Sequence, residues 1–247
     1  MTDANGVSGT PAWTQLSPTG GPPTARGQQV AFYDPASNSM TIFGGADANS
    51  DELTDVWVLR HANGLDGTPA WVQLTTAGGP PPGNGAAATY DPASNVMTVF
   101  GGLSAAPAYV TTNAVWALSN ANGLNGSTSK WTRLIANGAA GSPPPRAFGN
   151  AVYDPASNRM IAFGGGTFTT SNLTEKTFNQ TWVLSNANGN GGTPAWTQLA
   201  PGGQLPAARS QGSAVFDTAN NRMIVFGGLG YEGVFYSVWL LTDATGL

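Results

Sequence analysis

The chain has no cysteine and a single histidine in 247 residues. Without cysteine there is no disulfide, no thiolate metal site and no thiol nucleophile. Charge is scarce too: Asp, Glu, Lys and Arg supply 9 % of residues, against roughly 25 % in an average soluble domain. With a net charge of −4 and few cations to neutralise phosphate, nucleic-acid binding is a poor reading. No apolar run approaches the roughly 18 residues of a membrane span. The first residues also lack the charged and apolar regions of a signal peptide. The sequence therefore reads as soluble and not membrane-bound, either cytoplasmic or a mature piece of a longer, secreted protein.

What is abundant is glycine (34), proline (18) and large aromatics, with 8 Trp and 10 Phe. Many turns, many aromatics and few charges predict an all-β chain of short strands and tight loops. Disordered chains lack such aromatics.

The order within the chain is periodic. Trp13, Trp71, Trp131 and Trp196 each open a W-x-x-L segment, with gaps of 58, 60 and 65 residues. Tyr33-Asp34-Pro35-Ala36-Ser37-Asn38 recurs at Tyr90 to Asn95 and Tyr153 to Asn158, and in altered form at Phe216 to Asn221. Each is followed by a methionine (Met40, Met97, Met160, Met223), and then by Phe-Gly-Gly at Phe43, Phe100, Phe163 and Phe226. A second tryptophan closes each unit: Trp57, Trp116, Trp182, Trp239. These landmarks predict four strands per repeat, joined first by the polar Asp-Pro-Ala-Ser-Asn turn. Sheets so apolar on both faces need neighbours on both sides, and radial stacking supplies them. Ala31, Ala88, Ala151 and Ala214 keep one face of the innermost strand shallow.

This pattern resembles the Kelch-repeat family in its bacterial form: an arginine opening the first strand, Tyr-Asp before a turn, Phe-Gly-Gly, and two spaced tryptophans. The resemblance implies a β-propeller of four-stranded blades with the first strand innermost. Two departures stand out. Gly83 replaces the arginine found at Arg26, Arg146 and Arg209, and there are four repeats where the family usually has six or seven. The N-terminal strand, about residues 11–17, is expected to complete the last blade, in its own chain or in a partner. A four-bladed monomer and an eight-bladed head-to-tail homodimer both follow, and the long repeats favour the dimer.

Chemistry is hard to find. His61 aligns with Asn120, Asn186 and Asp243 and reads as a polar surface position. Gly228 to Gly233 matches G-x-G-x-x-G, but a strand pattern follows where a dinucleotide site needs a helix. Asp51, Glu52 and Asp55 lack calcium-loop spacing, and Asp34, Asp91, Asp154 and Asp217 read as turn residues. The resemblance does not extend to copper-radical Kelch oxidases, whose Cys-linked Tyr and two His are missing. No cofactor, metal or catalytic residue is assigned.

Functional interest lies in the loops between second and third strands, where the Phe-to-Trp span varies as 14, 16, 19 and 13 residues. Tyr109, Phe168, Tyr231, Glu232 and Phe235 fall there, with Lys176, and variable loops on a rigid frame are common binding sites. Arg26, Arg146 and Arg209 should approach the same face, either to bind an anion or, as favoured, to bond carbonyls between blades. The reading is a non-catalytic scaffold for protein or glycan binding and self-assembly. The alternatives are an excised or engineered fragment without a ligand and, last, a propeller enzyme with an unrecognised site.

Overall fold

The computed structural model describes residues 9–79, 83–104, 110–168 and 176–247, and among these there is no helix. Each repeat forms one antiparallel sheet in the expected order. Blade 1 is Val30–Asp34, Ser39–Phe43, Val56–Arg60 and Ala70–Leu74. Blade 2 is Ala87–Asp91, Val96–Phe100, Val115–Ser119 and Ser129–Ile135, and the short Thr76–Ala77 segment joins its outer edge in parallel. Blade 3 is Asn150–Asp154, Arg159–Phe163, Thr181–Ser185 and Ala195–Gln198. Among the described residues blade 4 has three strands, Ser213–Asp217, Arg222–Phe226 and Val238–Leu241.

The first strands of successive blades lie beside one another, which sets them around a common axis. Backbone hydrogen bonds tie them together at one end: Gln211 N–H donates to Phe148 C=O (2.7 Å), Phe148 to Gly85 (2.6 Å) and Gly85 to Gln28 (3.4 Å). Gln28, Phe148 and Gln211 all adopt φ between 56° and 59° there. That conformation is a genuine outlier for a residue as bulky as phenylalanine.

The core lies between blades. Met97, Leu118, Met160, Ile161 and Leu184 are fully buried. The outer-strand tryptophan of one blade seats on the Phe-Gly-Gly phenylalanine of the blade before it: Phe43 and Trp131 centroids are 4.8 Å apart, Phe100 and Trp196 4.6 Å. The shallow alanines Ala88, Ala151 and Ala214 pack into these interblade clusters as expected. Trp13–Leu16 lies outside every sheet, and Trp13 is 85 % exposed.

Candidate binding face

The first strands begin where the second strands end, since Val30 pairs with Phe43 and Asn150 with Phe163. The arginine-bearing segments and the second-to-third-strand loops therefore share one face. The Asp-Pro-Ala-Ser-Asn turns occupy the other.

Each arginine is held inside its own blade. Arg26 forms a two-pronged ion pair with Asp55, at 2.5 and 2.9 Å, and donates to the Gly44 carbonyl at 3.1 Å. Arg146 donates to Gly164 C=O at 2.9 Å and Gln180 Oε1 at 2.8 Å, with its guanidinium 4.4 Å from the Phe178 ring. Arg209 repeats this with Gly227 C=O (3.0 Å), Ser237 Oγ (3.2 Å) and the Phe235 ring (4.2 Å). The expected side-chain bonds between blades are thus corrected to bonds within one blade, because the first Gly carbonyl of the same repeat lies within reach. The arginine backbone makes the link between blades instead: Gly102 donates to Arg146 C=O and Gly165 to Arg209 C=O, both at 2.9 Å.

The side chain two residues before the second tryptophan completes each set. Asp55, Gln180 and Ser237 accept from the arginine and also from the indole N–H of Trp57 (2.7 Å), Trp182 (3.4 Å) and Trp239 (2.9 Å). Repeat 2 has Gly83 in place of the arginine and Ala114 at the partner position, so both halves are missing together. That pairing was present in the sequence and would have revealed the network. Burial lifts the Asp55 carboxyl, but hydrogen bonds from Arg26 and Trp57 outweigh it and hold the group below the ordinary carboxylate range. Desolvation lowers Arg146 to about 10.

The remaining candidates are scattered. Phe168 is buried, edge-on to Phe148 at 5.0 Å, and Phe235 lies beneath Arg209. Tyr109 lies outside the described residues. Tyr231 and Glu232 are exposed at the tip of a hairpin formed by Leu229–Gly230 and Gly233–Val234. That hairpin is also the G-x-G-x-x-G stretch, so no helix follows it. Of the acidic trio, Asp55 belongs to Arg26, Asp51 is exposed, and both oxygens of Glu52 are buried without a donor. Among the described residues no three acidic or histidine groups converge on a metal site. His61 takes φ 53° at a turn, like Asn120, Asn186 and Asp243, and its ring lies 3.2 Å from Asp66.

Two concavities open on this face. One, of about 260 Å³, lies at the axis between Gln28, Gly85, Phe148 and Gln211. The other, of about 240 Å³, runs between blades 1 and 2 beside Phe43, Leu103, Val110, Trp116 and Arg133. This face is carried on a radial all-β frame, and the class is a four-bladed β-propeller arrangement.

Residues 8–124 match the KLHDC2/KLHL20/DRC7 Kelch-repeats domain, and the landmarks of that stretch recur in blades 3 and 4. Acyl-CoA-binding domain-containing protein 5 of Arabidopsis thaliana is 29 % identical over 223 residues, 90 % of this chain and 30 % of that protein. Acyl-CoA-binding domain-containing protein 4 of the same plant is 28 % identical over 222 residues, again 90 % of this chain and 29 % of that protein. The chain spans under a third of the length of these curated relatives. A solved structure described as "Structure of YjhT" overlaps 88 % of this chain and 81 % of its own, with 14 % identity and a TM-score of 0.44.

Proposed function

We propose that the chain is a non-catalytic scaffold that offers its second-to-third-strand loop face to a protein partner. The observation that carries this reading is Tyr231, wholly exposed at the tip of a hairpin on the second-to-third-strand loop face. Tyrosine supplies a large amphipathic contact at low entropic cost, and such residues anchor interfaces. The polar groups that could have served chemistry have structural tasks instead. The arginine side chains brace their own blades, the aspartates hold turns, and His61 sits in a left-handed turn. The variable loops stand on a frame fixed by hydrogen bonds around the axis, which is how loop-borne recognition is usually built.

The test is binding of the whole chain to peptide and glycan arrays, with thermal shift on any hit, since a ligand that prefers the folded state raises Tm. Tyr231→Ser should abolish binding to a peptide hit. Leu65→Ser, on the opposite face and 82 % exposed, should leave it intact. A glycan hit without a peptide hit, no hit at all, or equal loss with both variants would overturn the proposal.

A further inference from the structure

Blade 4 lacks the strand that covers the edge of every other blade, leaving Val238–Leu241 as its outermost strand. Beside that edge lies a cavity of about 360 Å³ lined by Phe163, Leu199, Met223, Trp239 and Leu241. By the repeat, Phe163 stands where Phe43 and Phe100 receive Trp131 and Trp196. The chain carries a matching strand elsewhere. Gly9-Thr10-Pro11-Ala12-Trp13-Thr14-Gln15-Leu16 is identical to Gly192 through Leu199, which includes the outer strand of blade 3.

We infer that this cavity and edge receive Trp13–Leu16 of a second copy, and that two copies close reciprocally into an eight-bladed ring. In blade 3, Leu184 lies opposite Trp196 and Trp182 opposite Gln198. The same register places Trp13 opposite Leu241 and Gln15 opposite Trp239, with the indole directed onto Phe163.

The N-terminal segment is anchored at the far end of its own chain. Thr19 N–H donates to Pro69 C=O at 3.0 Å, and Trp71 N–H to Thr19 C=O at 2.8 Å. Both hold the segment against the outer strand of blade 1. Gly203 stands six residues before Arg209, as Gly20 stands before Arg26. A Cβ on Gly20 would strike the Trp71 carbonyl, whereas one on Gly203 would meet nothing within 4 Å. The glycine of blade 4 thus keeps a clearance that only an added strand would use.

The two end faces agree. On blade 4, Val215 (60 %), Phe226 (54 %) and Val238 (66 %) are exposed, while their blade 3 counterparts Val152, Phe163 and Thr181 are buried. On blade 1, Ala31 and Tyr33 are exposed where Ala88 and Tyr90 are partly covered. Since both end faces stay open in one chain, the occupant is another copy rather than the chain's own first strand. Polar contacts continue the series. Asn122 Nδ2 donates to Asp34 (3.1 Å) and Asn188 Nδ2 to Asp91 (2.7 Å), each across a blade boundary. At the boundary of blades 3 and 4 Thr245 takes the place of the asparagine, and the boundary between copies would pair Asn63 of one copy with Asp217 of the other. Two head-to-tail contacts related by a two-fold axis leave no open end.

Light scattering on the 247-residue chain at micromolar concentration should give twice its 25.2 kDa mass. Trp13→Ala and Phe226→Glu should each halve that mass while the far-ultraviolet spectrum stays β. Phe226 is already exposed in the single chain, so its replacement keeps the test valid if Trp13→Ala fails to fold. A wild-type monomer, an open-ended series of larger particles, or a dimer indifferent to both substitutions would overturn the inference. A monomer whose Tyr231 still binds a peptide would sink the ring and leave the proposed function standing.

Discussion

Glu52 sits in an environment at odds with its chemistry. Ala46 bridges it to the segment at Gly27, so the side chain turns inward, and neither carboxylate oxygen finds a donor. Burial pushes its carboxyl up to about 7. Below its ordinary value of 4.5 both folded and unfolded chains hold the proton, and Glu52 costs nothing. As pH rises toward 7 the unfolded chain loses the proton first, so stability falls, and above 7 the full cost is present. Glu52→Gln should therefore raise Tm at pH 8 by about 2–4 °C, corresponding to about 1 kcal/mol for a chain of this size, and leave it unchanged at pH 4. Thermal melts at the two pH values check this, and a gain at pH 4 equal to that at pH 8 would refute it. Asp34 and Asp91 run the other way. Burial lifts their carboxyls, but hydrogen bonds from Ser37 and Asn122, and from Ser94 and Asn188, hold both below the ordinary range. Their stabilisation is lost as pH falls through their folded values. The sequence identified these aspartates as turn residues, since the motif states it locally. It could not show the bonds from Asn122 and Asn188, which are 88 and 97 residues away in the chain. His61 was legible as polar but not for its reason, a left-handed φ that asparagine and aspartate tolerate best.

At the level of elements, Phe-Gly-Gly is the joint between blades. The first glycine of blade 3, Gly164, has φ +71°, and a Cβ there would stand 2.5 Å from the Arg209 carbonyl oxygen. That carbonyl accepts from Gly165, so it cannot move away without breaking the link to blade 4. Gly164→Ala should cost about 2–4 kcal/mol, combining left-handed strain with a lost interblade bond. Gly126→Ala, at φ +73° with nothing within 4 Å, should cost about 1 kcal/mol from conformation alone. Urea midpoints separate the two, and equal losses would show that the close approach contributes nothing. The strands were readable because each has its own landmark, and Met40, Met97, Met160 and Met223 all fall on the second strand. The parallel pairing of Thr76–Ala77 with Ser129–Lys130 was not, because it has no periodic signature and depends on where the connecting loop lies. The left-handed Phe148 had one faint sign, Gly85 at the same repeat position, where Gln28 and Gln211 are left-handed too.

For the whole molecule, blades are quasi-independent units stabilised by their neighbours, so order should decline toward an uncovered end. Blades 2 and 3 are covered on both faces, and Met97, Leu118, Met160 and Leu184 have no exposed surface. Blade 4 has one covered face and an unpaired edge along Val238–Leu241. If a second copy supplies the missing strand, this edge gains a ladder partner and its amides become protected in the assembled protein. In Trp13→Ala the amides of Val238–Leu241 should exchange about tenfold faster or more, since tenfold is about 1.4 kcal/mol and losing a buried tryptophan exceeds that. Those of Val96–Phe100 and Val115–Ser119, both in blade 2, should keep their rates, because no contact of theirs changes. Diluting the wild-type chain should reproduce the pattern, as protection that comes from association follows concentration. Acceleration spread evenly over all four blades would mean that the chain unfolds as one unit and that the end strand is not held by a neighbour.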